Sequence, residues 1–198
     1  MSITYLENLF HKMGYAFFSK GDFNLNIIGV RNPNQICNSF DDTLMLAYKI
    51  NGRWILKEWS ITTDAGRYWL LNPMNSKGTA ILIPNQYRGA YGIAEHRNKY
   101  EALCQVNAKV DVWRDNNKDQ ILDFNNATAE SGYFGINIHR SNPNGESEIV
   151  EKWSAGCQVF QNSNDFNEFM NISKTAAKIW GNSFTYTLMT EEQLYLLD

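Results

Sequence analysis

A chain of 198 residues, 43% hydrophobic and 14% aromatic, is long and apolar enough to bury a substantial core, which excludes disordered, collagen-like and coiled-coil classes. Its 18 Lys and Arg against 21 Asp and Glu give a formal charge of -3. The basic residues are scattered, so no nucleic-acid partner is predicted. No apolar run has the length of a membrane span, and no linker or repeat divides the sequence, so a single domain over residues 1–198 is expected.

Met1 to Glu7 lacks the basic start and apolar stretch of a secretory signal, which predicts synthesis in the cytoplasm. The three cysteines, Cys37, Cys104 and Cys157, are an odd number and are read as reduced thiols.

In chain order, Ile3, Leu6, Leu9, Phe10 and Met13 fall at helical spacing before Gly14 and predict a helix over 3–13. A strand-rich body over 24–162 follows, beginning with an alternating run from Asn24 to Val30. Thr43 to Ile50 and Arg53 to Ser60 flank Asn51-Gly52, a strong hairpin signal, because both residues tolerate the positive φ of a type I′ turn. Further strands are predicted at 68–71, 80–83, 101–106, 109–113 and 133–139. Phe166, Phe169, Met170, Ile172, Ala176 and Ile179 then make the apolar face of a helix over 165–180, with capping candidates at Ser163 to Asp165 and a stop at Gly181. A last strand covers 184–189. The pattern predicts a β-rich α+β fold.

Chemistry concentrates in one stretch. Gly135-Ile136-Asn137-Ile138-His139 ends an apolar run, and after a spacer of residues 140–153 comes Ser154-Ala155-Gly156-Cys157. An imidazole close to a thiol raises the thiolate fraction, and a glycine before the thiol lets backbone N–H groups approach an oxyanion. The competing reading is that Cys157 is a small core hydrophobe, as Cys104 in its apolar strand is taken to be. His96, in a polar stretch with Arg97 and near Tyr91, is either solvated or a substrate contact. Trp153 and Tyr91 either flank a substrate groove or pack in the core. Asp115-Asn116-Asn117-Lys118-Asp119-Gln120-Ile121-Leu122-Asp123 spaces oxygen side chains as a calcium loop does. It lacks the glycine at the sixth position and has Asn126 at the twelfth, and an Asp/Asn-rich turn accounts for the same residues. The histidines and cysteines show no zinc-ligand pairing, so no metal site or cofactor is assigned to the candidate catalytic residues.

His139, Ser154, Gly156, Cys157 and Asn162 resemble the signature of the L,D-transpeptidase family, which acts on peptidoglycan stem peptides. The family's histidine between Ser/Thr and Gly is Ala155 here, and its arginine two positions after the cysteine is Val159. More narrowly, Tyr87 to Tyr91, Val112 to Asp115 and Gly135 to His139 are similar to a phage-associated and bacterial branch. The resemblance implies a β-sandwich-like domain carrying an N-terminal helix and a helix after the cysteine. It also implies Cys157 as nucleophile, His139 as base with a near-neutral pKa, and Gly156 and Cys157 N–H groups as oxyanion donors. Ser154, Ser141 or a backbone carbonyl would orient the imidazole, and Arg140, Asn137, Trp153, Tyr91 and His96 would contact substrate. Hydrolysis is favoured slightly over cross-linking, and with no secretory signal in view a phage-lysis or virion-associated setting at the cell wall is expected. The rival expectation is a non-catalytic phage structural or wall-binding protein that keeps the fold.

Overall fold

A computed structural model of the chain describes residues 1–197. In order the elements are α1 (Ile3–Lys12), β1 (Asn26–Arg31), β2 (Asp42–Ile50), β3 (Arg53–Thr62), α2 (Arg67–Leu71), β4 (Thr79–Leu82), β5 (Asn85–His96), β6 (Tyr100–Gln105), β7 (Val110–Asp115), β8 (Glu130–Gly132), β9 (Ile138–Arg140), β10 (Gln158–Phe160), α3 (Ser163–Trp180), β11 (Phe184–Thr190) and α4 (Glu191–Leu194). The fold is α+β and strand-rich.

Eight strands close into a barrel in the order β1-β11-β5-β6-β9-β10-β3-β2, and β4, β7 and β8 form a separate three-stranded sheet. The main sheet therefore closes on itself, where two stacked sheets were expected. Closure needs a strand that pairs at both edges, and β11 does this, running parallel to β1 and antiparallel to β5. Ile27, Leu44, Leu46, Leu103, Ile138 and Leu188 share the main core with Tyr91 and Tyr186. On the other face of β1, Ile28 and Val30 meet Leu6, Leu9 and Phe10 of α1, so this strand is buried along its whole length. Burial on both faces accounts for the adjacent apolar pair Ile27 and Ile28 within the otherwise alternating run.

The Asn51-Gly52 hairpin forms as predicted, with φ of 51° and 73°, and pairs β2 with β3 from Ile50↔Arg53 to Asp42↔Ile61. The predicted strand at 68–71 is instead the short helix α2, held from Gly66 by Trp69 N–H donating to its carbonyl at 3.0 Å. The predicted strand at 133–139 pairs only from Ile138 onward. α3 begins at Ser163, and its cap is Asn162, whose Oδ1 accepts from Asn164 N–H at 2.8 Å. Such a cap contributes about 1 kcal/mol, and it gives a structural role to the motif's asparagine. The apolar face of α3 sets Phe166 and Phe169 against Phe160, with Trp59 against Phe169. That packing fixes β10, the strand that follows Cys157.

Candidate functional site

β9 and β10 run parallel, with Ile138 opposite Gln158 and His139 opposite Val159. Continuing that register sets Cys157 beside Asn137, whose carbonyl accepts from Gln158 N–H at 2.9 Å. Strand spacing and rise then put the Cα atoms of Cys157 and His139 about 8 Å apart on neighbouring strands. The two residues singled out in sequence are thus brought together by one parallel pairing.

The turn that delivers Cys157 is built by Ser154 and Gly156. Ser154 is fully buried; its hydroxyl donates to the Cys157 carbonyl at 2.8 Å and accepts from Gly156 N–H at 3.1 Å. Gly156 has φ of +114°, and a Cβ there would sit 2.1 Å from the Ala80 carbonyl of β4, so no other residue fits. Two expectations change as a result. Ser154 shapes the turn and does not touch the imidazole, and the Gly156 N–H is committed to Ser154 and so is not open to an oxyanion.

The Cys157 thiol donates to the Gly135 carbonyl at 3.3 Å, and Asn137 N–H approaches the sulfur at 3.5 Å. Burial pushes the thiol up to about 11, against the smaller lowering effect of the Asn137 N–H. No hydrogen bond joins Cys157 to His139 among the described residues.

His139 is 3% exposed. Its Nδ1 lies 2.8 Å from the Arg140 carbonyl, which can only accept, so Nδ1 carries the proton and Nε2 is the free base. That Nε2 is buried without a hydrogen-bond partner among the described residues. The orienting group is therefore a backbone carbonyl; Ser141 donates instead to Gln161 O at 2.9 Å. Burial first, and the neighbouring His96 second, bring His139 down to about 3, in place of the near-neutral value expected. Thiol and imidazole are both neutral at rest.

His96 stacks on His139 with ring centroids 4.2 Å apart. Its Nδ1 accepts from Asn137 Nδ2 at 3.1 Å, while Asn137 Oδ1 accepts from Gln105 N–H at 2.9 Å. Both ends of the Asn137 amide are occupied, so Asn137 positions His96 and is not free to bind substrate. Burial lowers His96 to about 4.

A cavity of about 330 Å³ opens beside the two histidines, lined also by Arg97, Lys99, Tyr100, Arg140, Ser141, Pro143 and Trp153. Among the described residues three cations and no carboxylate face it. Arg140 lies 4.2 Å over the Tyr100 ring, and Trp153 is 40% exposed. Larger cavities of about 520 and 460 Å³ lie near Trp180 and near Met1, but neither is lined by a cysteine or histidine. Tyr91, by contrast, is fully buried against Tyr186 in the barrel core, where it cannot contact substrate.

Tyr100 was not singled out in the sequence. Its hydroxyl lies 3.3 Å from the Arg140 carbonyl and 3.4 Å from His139 Nδ1. The available signal was the turn: Arg97 and Asn98, with φ of 53° and 54°, make a hairpin that sets Tyr100 opposite His96. Ala155 lines a second cavity, of about 280 Å³, with Trp69, Arg114 and Tyr133. Val159 packs with Phe40 and Val150.

No protein-family model, curated protein or solved structure matches this chain.

Proposed function

We propose that the protein is a cysteine-dependent acyl-transfer enzyme acting on peptidoglycan stem peptides. The observation that carries this reading is the His139 imidazole: Nδ1–H is fixed by the Arg140 carbonyl, and an unprotonated Nε2 is buried without a partner among the described residues, one strand away from a thiol. A buried acceptor left unpaired costs about 1–3 kcal/mol, a cost with a purpose if a proton arrives there during reaction.

In the proposed reaction the Cys157 sulfur attacks a peptide carbonyl as its proton passes to His139 Nε2. The new C–S bond gives a tetrahedral oxyanion facing Cys157 N–H. The C–N bond then breaks, the amine leaves with the proton from His139, and a thioester remains. Water or an acceptor amine releases the acyl group, and water is the first acceptor to test. Because both groups are neutral at rest, proton transfer accompanies attack and no thiolate is stored beforehand. Arg97, Lys99 and Arg140 suit the carboxylates of a stem peptide, and Trp153 offers an apolar wall.

The test is to incubate the protein and its Cys157→Ala variant with purified muropeptides and to read the products by mass spectrometry. Product from the wild type alone supports the reading and identifies the bond. No turnover across several peptidoglycan chemotypes sinks it. The raised thiol and the missing Cys157–His139 hydrogen bond favour a second reading, a wall-binding protein without catalysis. That reading predicts muropeptide binding that survives Cys157→Ala and falls with Arg140→Ala.

A further inference from the structure

We propose that His96 reads a peptide carbonyl in the cavity beside His139 by donating its Nε2–H to that oxygen. The contact rests on the reading of this cavity as a stem-peptide site, and it determines specificity in a way that the reaction above does not use.

Hydrogen bonds around Asn137 fix the tautomer. Gln105 N–H can only donate, and it meets Asn137 Oδ1 at 2.9 Å. The other end of the amide is therefore Nδ2, which also can only donate and lies 3.1 Å from His96 Nδ1. That ring nitrogen must accept, so a neutral His96 carries its proton on Nε2. His139 is the opposite tautomer, with its proton on Nδ1 against the Arg140 carbonyl. The two stacked rings, 4.2 Å apart and 25° from parallel, thus supply one donor and one acceptor.

Access also separates the rings. His139 Nε2 is sealed without a partner, whereas His96 Nε2 makes no hydrogen bond within the described residues and keeps contact with solvent. With Nδ1 taken by Asn137 and one ring face covered by His139, the Nε2–H is what His96 offers to the cavity it lines. Its neighbours there, Arg97, Lys99 and Arg140, carry full charges that suit carboxylates. A neutral N–H suits an oxygen without full charge, such as an amide carbonyl, and burial keeps His96 neutral at physiological pH. Together these groups match a peptide that brings a carboxylate and an amide carbonyl close together, as its C-terminal residues do.

The test measures binding of a synthetic stem tetrapeptide to the Cys157→Ala protein by calorimetry, so that turnover plays no part. Adding His96→Phe, which keeps a ring against His139 but has no N–H, should raise Kd roughly two- to tenfold, and His96→Gln, which returns an N–H donor, should recover most of that loss. A packing role alone gives the reverse order, because Phe is the better replacement for a ring. Imidazole nitrogen NMR of the wild type at neutral pH should show His96 protonated at Nε2 and His139 at Nδ1, and the tetrapeptide should shift the His96 Nε2 signal. A His96 protonated at Nδ1, an unchanged Kd in His96→Phe, or an equal loss in both variants overturns the proposal and leaves Cys157 and His139 as assigned. Failure of the acyl-transfer reading shows separately, as wild-type protein that binds the tetrapeptide through His96 and releases no product. Absence of tetrapeptide binding overturns both.

Discussion

Two clusters of buried titratable groups lie close to β10, and they are built in opposite ways. At the ends of β1 and β3, Arg31 is 2% exposed, donates to Thr63 Oγ1, Thr63 O and Leu82 O at 2.9–3.0 Å, and lies 3.0 Å from Asp64. Asp42 accepts from Asn32 and Thr63 N–H at 2.7 and 2.6 Å. Charge meets charge there, and although Asp64 Oδ1 receives no hydrogen bond it lies 3.0 Å from the Arg31 Nε. The His96, His139 and Cys157 cluster holds no charge at rest and leaves one basic nitrogen unused. The first arrangement fastens strand ends together. On the proposed function the second keeps a proton acceptor available, and it is the absence of charge that separates it from the Arg31 cluster.

The sharpest way to test that division is to remove one member of each cluster. His139→Gln is expected to lower acyl transfer about 10²–10⁴-fold while changing stability by no more than about 1 kcal/mol, read by muropeptide turnover and urea denaturation. Arg31→Ala should do the reverse in kind. It leaves Asp42 and Asp64 buried without their cation, and unfolding free energy should fall by about 3–5 kcal/mol. If His139→Gln costs as much stability as Arg31→Ala, the imidazole is a structural group and the division fails.

Much of this contrast could be read from the sequence on one side only. Cys157, His139, Gly156 and Ser154 carry local signals, because a thiol after glycine and a histidine ending an apolar run are short-range patterns. The hairpin at Asn51-Gly52 and the helix through Phe166 and Phe169 are equally local. The Arg31 cluster left no such trace, since Thr63 and Leu82 lie 32 and 51 residues from Arg31 along the chain and meet it only in the tertiary fold. Strand pairing also hid the partners of His139: His96 arrives on β5 and Tyr100 on β6, about forty residues away along the chain. The strand predicted at 68–71 failed because alternation over four residues does not distinguish a strand from one helical turn. The short α4 did have a signal, the Thr190 and Gln193 capping box, which stands in the sequence as T-x-x-Q.

The clusters should also separate in their response to pH. His139 and His96 are held at about 3 and about 4, below the ordinary value near 6.5. A depressed base contributes stability that is present above pH 6.5 and is lost as pH falls towards 4, because the unfolded chain takes up protons that the native site refuses. Asp42 is raised by burial to about 7, so its contribution is present below pH 3.8 and is lost as pH rises through 7. The two contributions therefore oppose each other between about pH 4 and 6.5, the histidines making stability rise with pH and Asp42 making it fall. His139→Gln should tilt the profile in that window towards falling with pH, and Asp42→Asn should tilt it towards rising, each by about 1–3 kcal/mol in denaturation series. Identical pH profiles for wild type and both variants would remove the electrostatic basis of the comparison.

Tyr100→Phe probes the contrast at its finest grain. The Arg140 carbonyl has two donors within reach, His139 Nδ1 at 2.8 Å and the Tyr100 hydroxyl at 3.3 Å. The shorter bond fixes the tautomer, and the longer one only supports the carbonyl, so loss of the hydroxyl should leave Nε2 basic. A neutral hydrogen bond contributes about 0.5–1.5 kcal/mol, which sets the expected loss of stability and corresponds to roughly two- to tenfold in turnover. The ring remains under Arg140 at 4.2 Å, so substrate binding through that cation should hold and the change should fall on kcat more than on KM. A loss as large as that of His139→Gln would mean that Tyr100, and not the Arg140 carbonyl, holds the imidazole in its working orientation.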